Sequence, residues 1–153
     1  MQQGHASFIG IAALMIIAGI GIPLMATLNA GLGKQLASPA AATFILYVVG
    51  VVLATGVLLA AGGMPSVEKF RGIGPHFYMG AVFVVFYIVT MTWAAPRIGV
   101  GNAVFFVLLG QLVAAAAIDH YGLWGAVRSA ITGKRVLGIA VMALGVYLAR
   151  KPV

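Results

Sequence analysis

The chain contains no cysteine and only two acidic residues, Glu68 and Asp119. Without cysteine there is no disulfide, thiolate zinc site, iron–sulfur centre or cysteine nucleophile. Two carboxylates, both near helix ends or in loops, cannot build the carboxylate–magnesium sites of lipid phosphotransferases. Serine chemistry in a membrane needs a serine and a base on neighbouring helices. Ser7, Ser38, Ser66 and Ser129, and likewise His5, His76 and His120, all fall at the ends of apolar runs or between them. An enzyme is therefore not expected, and neither a metal nor another cofactor. Charge of either sign is scarce, at 7% of 153 residues, against about 25% in a soluble domain whose surface must face water. Hydrophobic residues make up 63%. A water-soluble core of this size cannot absorb so much apolar surface, so lipid must be the solvent for most of it.

What the chain does contain is five apolar runs, each near the ~20 residues that carry a helix across ~30 Å of hydrocarbon. They cover about Phe8 to Leu28, Pro39 to Ala61, Phe77 to Ala95, Ile98 to Ile118 and Val136 to Leu148. The second opens on Ser38-Pro39, a helix-start signal, and the third is expected to stop at Pro96. The fifth is short, but Lys134-Arg135 and Arg150-Lys151 bracket it and can snorkel to the headgroups. Membrane strands would need about ten-residue segments of alternating polarity, which these runs are not. The expectation is one all-α transmembrane domain over residues 1–153. The N-terminal MQQGHAS has no basic stretch and is expected to be a mature end, not a signal peptide.

Between the runs, Gly62 to His76 reads as an aqueous loop. In the stretch from Asp119 to Gly133, Leu123, Val127 and Ile131 recur every four residues beside Trp124. That spacing predicts a short amphipathic segment at the interface. The nine Lys and Arg give a net charge of +7, yet they lie singly or in pairs between apolar runs. They suit anionic lipid headgroups, and no nucleic-acid partner is expected. If the spans alternate, one side holds Lys69, Arg71, Arg128, Lys134 and Arg135, and the other Lys34, Arg97, Arg150 and Lys151. The positive-inside rule acts through an asymmetry in this count, and five against four is almost none. An odd number of spans with so little bias favours two chains inserted oppositely, an antiparallel homodimer of ten helices arranged as an inverted repeat. A fixed orientation with a parallel or heteromeric partner is the alternative.

Polar residues at bilayer depth are costly and mark candidate sites. Pro23, after Gly19 and Gly21, can break the first helix and free carbonyls for a ligand, or simply kink it for packing; Thr27 and Asn29 follow. On the third run Tyr87, Thr90 and Trp93 are spaced by three. On the fourth, Asn102 lies near the start and Gln111 near the middle, on the same face as Ala115 and Asp119. Asn29, Tyr87, Trp93, Asn102 and Gln111 are the candidate substrate-binding residues. Asp119 is the one acid near a span: a coupling site if buried, or an interfacial ion pair with Arg97 or Arg128. Gly138 and Gly145 form part of a small-residue stripe suited to helix–helix packing and are the candidate dimerisation residues.

The stretch APRIGVGNAVFFVLLGQLVAAAAIDHYGLWG resembles the small five-span YdcZ-like proteins of the bacterial inner membrane, within the drug/metabolite transporter superfamily. The resemblance rests on Pro96, Gly99, Gly110, Gln111, Leu112 and Asp119, with Pro23 and Asn29 of GIPLMATLNAGLG and the GIAV…LGVYL pattern of the last run. It spans nearly the whole chain. It implies a transporter of small molecules by alternating access, with each chain half of a ten-helix inverted-repeat fold. Four-span multidrug relatives carry a membrane-embedded Glu in their first helix; this chain has no acid there, which disfavours proton exchange of that type. A small ion channel and a non-transporting or heterodimeric partner subunit are the competing functions.

Overall fold

The computed structural model describes the backbone of residues 2–150 and the side chains of residues 8–150; Lys151 and the side chains of His5 and Ser7, weighed above, lie outside them. The described residues form five α-helices and no strand: α1 (Gln2–Gln35), α2 (Pro39–Ala60), α3 (Gly80–Ile98), α4 (Val100–Tyr121) and α5 (Gly133–Ala149). Short 3-10 turns occupy Val67–Phe70, Pro75–Met79 and Leu123–Gly125. The chain divides into two compact units, Met1–Arg97 and Ile98–Val153.

In the first unit α1 and α2 pack together. The turn between them is fixed by its own hydrogen bonds. Ser38 N–H donates to the Gly33 carbonyl (3.0 Å) and Ala37 N–H to that of Lys34 (3.2 Å), with Ala37 in the left-handed region at φ 49°. This is a Schellman cap, with alanine where glycine is usual. Ser38 then caps α2, its hydroxyl accepting from Ala41 N–H at 3.1 Å, and Pro39 takes the first helical position, where no N–H is needed. The chain therefore reverses within three residues. Gly33 is buried under this turn: a Cβ there would lie 2.9 Å from Thr92 Cγ2, 3.5 Å from Pro39 Cα and 3.7 Å from Ala42 Cβ. Its missing side chain is the space into which α3 settles.

Neither proline breaks its helix. Pro23 lies inside a continuous α1, and α3 runs past Pro96 to Ile98. A proline removes one N–H donor from the ladder, leaving the carbonyls of Gly19 and Thr92 without their helical partners, but the flanking turns hold the helix together. The break comes instead at Gly99, whose φ of 84° ends one helix and opens the next.

In the second unit α4 packs on α5. Gly122, at φ 63°, closes α4 with its N–H on the Ile118 carbonyl. The segment that follows, expected to be amphipathic, is not a regular helix despite its four-residue spacing. Gly122 and Gly125 both take positive φ, as does Trp124, so Leu123–Gly125 makes one turn and the chain then runs irregularly to Thr132. It folds back on the end of α4, Ser129 N–H donating to the Asp119 carbonyl (2.8 Å) and Ile131 N–H to His120 Nδ1 (3.1 Å). Thr132 caps α5 through Arg135 N–H.

Among the described residues, four helical stretches are long and apolar enough to cross a membrane: Phe8–Gln35, Pro39–Ala60, Pro75–Ile98 and Val100–Tyr121. Leu14, Ile16, Val52, Leu53, Phe83, Phe86 and Leu137 are among the many large apolar side chains turned outward, as helices solvated by acyl chains require. Helix α5 has 17 residues, about 25 Å at 1.5 Å each, the shortest of the five.

Adding one methyl at Gly33 should overpack the α1–α3 contact and cost about 1–3 kcal/mol. Thermal unfolding of the detergent-solubilised protein checks this. Gly33→Ala should melt well below wild type, and Gly50→Ala, which meets nothing within 4 Å, should not.

Candidate functional site

Hydrocarbon offers no hydrogen bonds, so each polar side chain in a span must find its own partner. Four threonines solve this locally. Thr27, Thr43, Thr55 and Thr92 each donate to the carbonyl four residues back, on Pro23, Pro39, Val51 and Ile88, all at 2.8 Å. A short hydroxyl can reach that far on its own helix.

Asn29 solves it across helices. Its Nδ2 donates to Thr92 Oγ1 at 2.6 Å, while the Thr92 hydroxyl donates onward to Ile88. Both residues are buried, at 4% and 3% exposure. Each lies six residues from its helix end, at Gln35 and Ile98, which is about 9 Å along the axis. The relay thus joins α1 and α3 below the headgroup level, beside the gap left by Gly33.

Two tyrosines do not solve it. The hydroxyls of Tyr47 on α2 and Tyr87 on α3 are occluded from solvent and have no hydrogen-bond partner. A phenol carries its hydroxyl at the tip of a rigid ring and cannot fold back to its own ladder as threonine does. Tyr47 lies eight residues into α2 and Tyr87 eleven from the end of α3, about 12 and 16 Å deep in a core of ~30 Å. Neither depth allows the ring to serve as a headgroup belt. An unmet buried hydroxyl costs about 1–3 kcal/mol.

The remaining expected residues fall as follows. Trp93 is half exposed, with the Arg97 guanidinium over its ring at 4.4 Å; Arg97 also donates to the Trp93 carbonyl. Asn102 is buried in the second unit and donates to the Ile98 carbonyl at 2.9 Å, at a recess of about 370 Å³ shared with Gly99, Phe105 and Ala149. Gln111 is exposed on α4. Gly138 and Gly145 are open, with nothing within 4 Å of an added Cβ.

Asp119 has a partner that was not considered for it. Within the second unit Arg135, not Arg128, holds its carboxylate at 2.7 Å, because the loop after α4 doubles back and sets the first turn of α5 beside it. Arg128 instead donates to the His120 carbonyl at 3.4 Å. Two further residues escaped the sequence reading, Thr92 and Tyr47. Thr92 sits five residues from Tyr87, off the three-residue stripe. Tyr47 lies one turn beyond Thr43, the only hint that this face of α2 is polar.

Long apolar helices, with polar side chains paired inside, define a multi-pass helical membrane protein. The chain belongs to the family of the drug/metabolite transporter superfamily described as "Putative inner membrane exporter, YdcZ", which it matches over residues 10–148. No curated protein and no solved structure matches it. The family and the spans together make it a multi-pass protein of the inner membrane, of transporter type rather than enzyme type.

Removing either end of the α1–α3 relay strands the other. Asn29→Ala and Thr92→Val should each destabilise by about 1–3 kcal/mol, and the double variant should lose less than the sum. Strict additivity in thermal or denaturant unfolding would count against the relay. Arg135→Gln removes a pair whose side chains are 32% and 37% exposed. It should cost under about 1 kcal/mol in the same measurement.

Proposed function

We propose that the protein exports a small molecule by alternating access, as an antiparallel dimer of two oppositely inserted copies. Each chain would be one transmembrane domain of five spans, α5 included, and two chains would make the ten-helix inverted repeat. The family description supports export. The five-to-four balance of basic residues supports insertion both ways. The apolar flanks of the helices, open at Gly138 and Gly145, leave room for a second copy.

The observation that carries a binding function is the pair of unmet hydroxyls on Tyr47 and Tyr87. A cost of this kind persists where a ligand relieves it. Two phenols that can each donate and accept suit an uncharged or zwitterionic solute with several hydrogen-bonding groups, and Asn29 of the same unit is the amide assigned to it. No carboxylate of the first unit lies at bilayer depth, since Glu68 is in the α2–α3 loop. Cation capture by a buried acid is therefore not how that unit would hold a substrate. Trp93 supplies an aromatic wall nearer the headgroups; Asn102 and Gln111 are proposed separately as substrate contacts of the second unit.

The test is to compare, by untargeted mass spectrometry, the medium of bacteria making the protein with that of cells making variants at equal membrane levels. At least one solute should be enriched outside by the wild type. Tyr47→Phe and Tyr87→Phe should each cut that enrichment about three- to tenfold, the weight of one hydrogen bond, and Gln111→Ala should also reduce it. No enriched solute, or enrichment indifferent to both tyrosine changes, would overturn the proposal.

A further inference from the structure

Where α1 turns into α2 and α3 ends, the first unit has an open recess of about 400 Å³ lined by Ala30, Gly33, Lys34, Ala37, Pro39, Thr92, Pro96 and Arg97. Its size falls within the lower range of small-molecule sites. Only two of these side chains are charged, and both are positive.

The fold offers neither of them a counter-charge. Of the two acids in the chain, Asp119 is taken by Arg135. Glu68 lies in the loop between α2 and α3, a full helix length away from the α1–α2 turn. Further positive potential comes from α2, whose N-terminus opens at Pro39 on the recess wall and carries no acid in its first turn. Proline at that position leaves the Ala40 N–H as the first free donor. The Arg97 guanidinium is held over Trp93, 4.4 Å from the ring centroid, and donates one N–H to the Trp93 carbonyl; its remaining N–H groups are donors of the planar kind that match a phosphate. Lys34 adds a mobile point charge from the last turn of α1. Gly33 and Ala37 keep the floor between them low. Two cations brought together on separate helices, at a helix N-terminus and with no acid in the lining, are mutually repulsive until an anion joins them.

We propose that this recess binds a phosphate-type oxyanion, held between Lys34 and Arg97 at the start of α2. Two sources share that chemistry: the headgroup of an anionic phospholipid in the adjoining leaflet, and a free phosphorylated solute. Lys34 and Arg97 each lie five residues beyond Asn29 and Thr92, about 7.5 Å along the helices toward their ends. The oxyanion would therefore sit on the headgroup side of the relay, whose Thr92 forms the inner wall of the recess. The site does not depend on which solute crosses the membrane.

Trp93 under Arg97 is a built-in reporter. The chain has two tryptophans, so Trp124→Phe leaves Trp93 alone. That protein, in neutral detergent at constant ionic strength, is titrated with short-chain phosphatidylglycerol, with diacylglycerol of the same chains, and with inorganic phosphate. Emission and calorimetric heat are followed together, so that the result does not rest on the fluorophore. Phosphatidylglycerol should give a saturable response that diacylglycerol does not. Lys34→Gln, at an exposed position that leaves the Arg97–Trp93 stack in place, should weaken it about tenfold or more. Saturation by inorganic phosphate as well identifies a soluble oxyanion as a ligand; silence there beside a phosphatidylglycerol response assigns the site to lipid. No saturation with either ligand by either readout, or the same affinity in Lys34→Gln, overturns the proposal.

Discussion

Hydrocarbon cannot solvate a polar group, and nearly every feature of this protein follows from how its few polar side chains meet that condition. Threonines turn back on their own ladders and can sit anywhere on a span. Asparagine at position 29 reaches a neighbouring helix, and in doing so ties α1 to α3. That tie needs close approach, which Gly33 supplies, and a tight reversal, which the Ala37 cap and the Ser38–Pro39 start supply. The relay, the gap and the turn are one piece of structure. Tyr47 and Tyr87 stand apart because the first unit builds around their hydroxyls without completing them.

The same arrangement produces the charged recess at the α1–α2 turn. Once Thr92 is drawn against Gly33, the last turn of α3 brings Arg97 to the side of Lys34 and the first turn of α2. The Asn29–Thr92 relay is thereby flanked, toward the helix ends, by a cationic mouth. In an antiparallel dimer the same mouth would open on both faces, one from each copy.

Much of the fold was legible in the sequence because hydropathy is a long-window signal. Five apolar runs became five helices, and Ser38-Pro39 marked a real helix start. Boundaries were less legible. Pro96 reads as a stop, but a proline removes only one donor, and α3 continues for two residues to where Gly99 turns the chain. Leu123, Val127 and Ile131 keep helical spacing, but Gly122 and Gly125 take conformations no helix allows. Site residues divide by the reach of their contacts. Asn29 and Tyr87 stand out as polar groups at depth. Thr92 does not, since a threonine bonded to its own helix is ordinary, and only the packing at Gly33 sets it against Asn29. Asp119 was visible as the lone acid by a span, while its partner Arg135 depended on a loop folding back, which no local pattern encodes.

If one sequence supplies both halves of an inverted pair, both orientations must coexist in one membrane. The location of the chain's two ends reports this, and the absence of native cysteine makes the measurement clean. Single cysteines at Gln3 and, separately, after Val153 would be labelled in intact cells with a membrane-impermeant thiol reagent, against total labelling after lysis. Insertion in both orientations should give partial labelling at both positions, each near half of the total. Complete labelling at either position, or none at both, would mean a single fixed orientation and would contradict it.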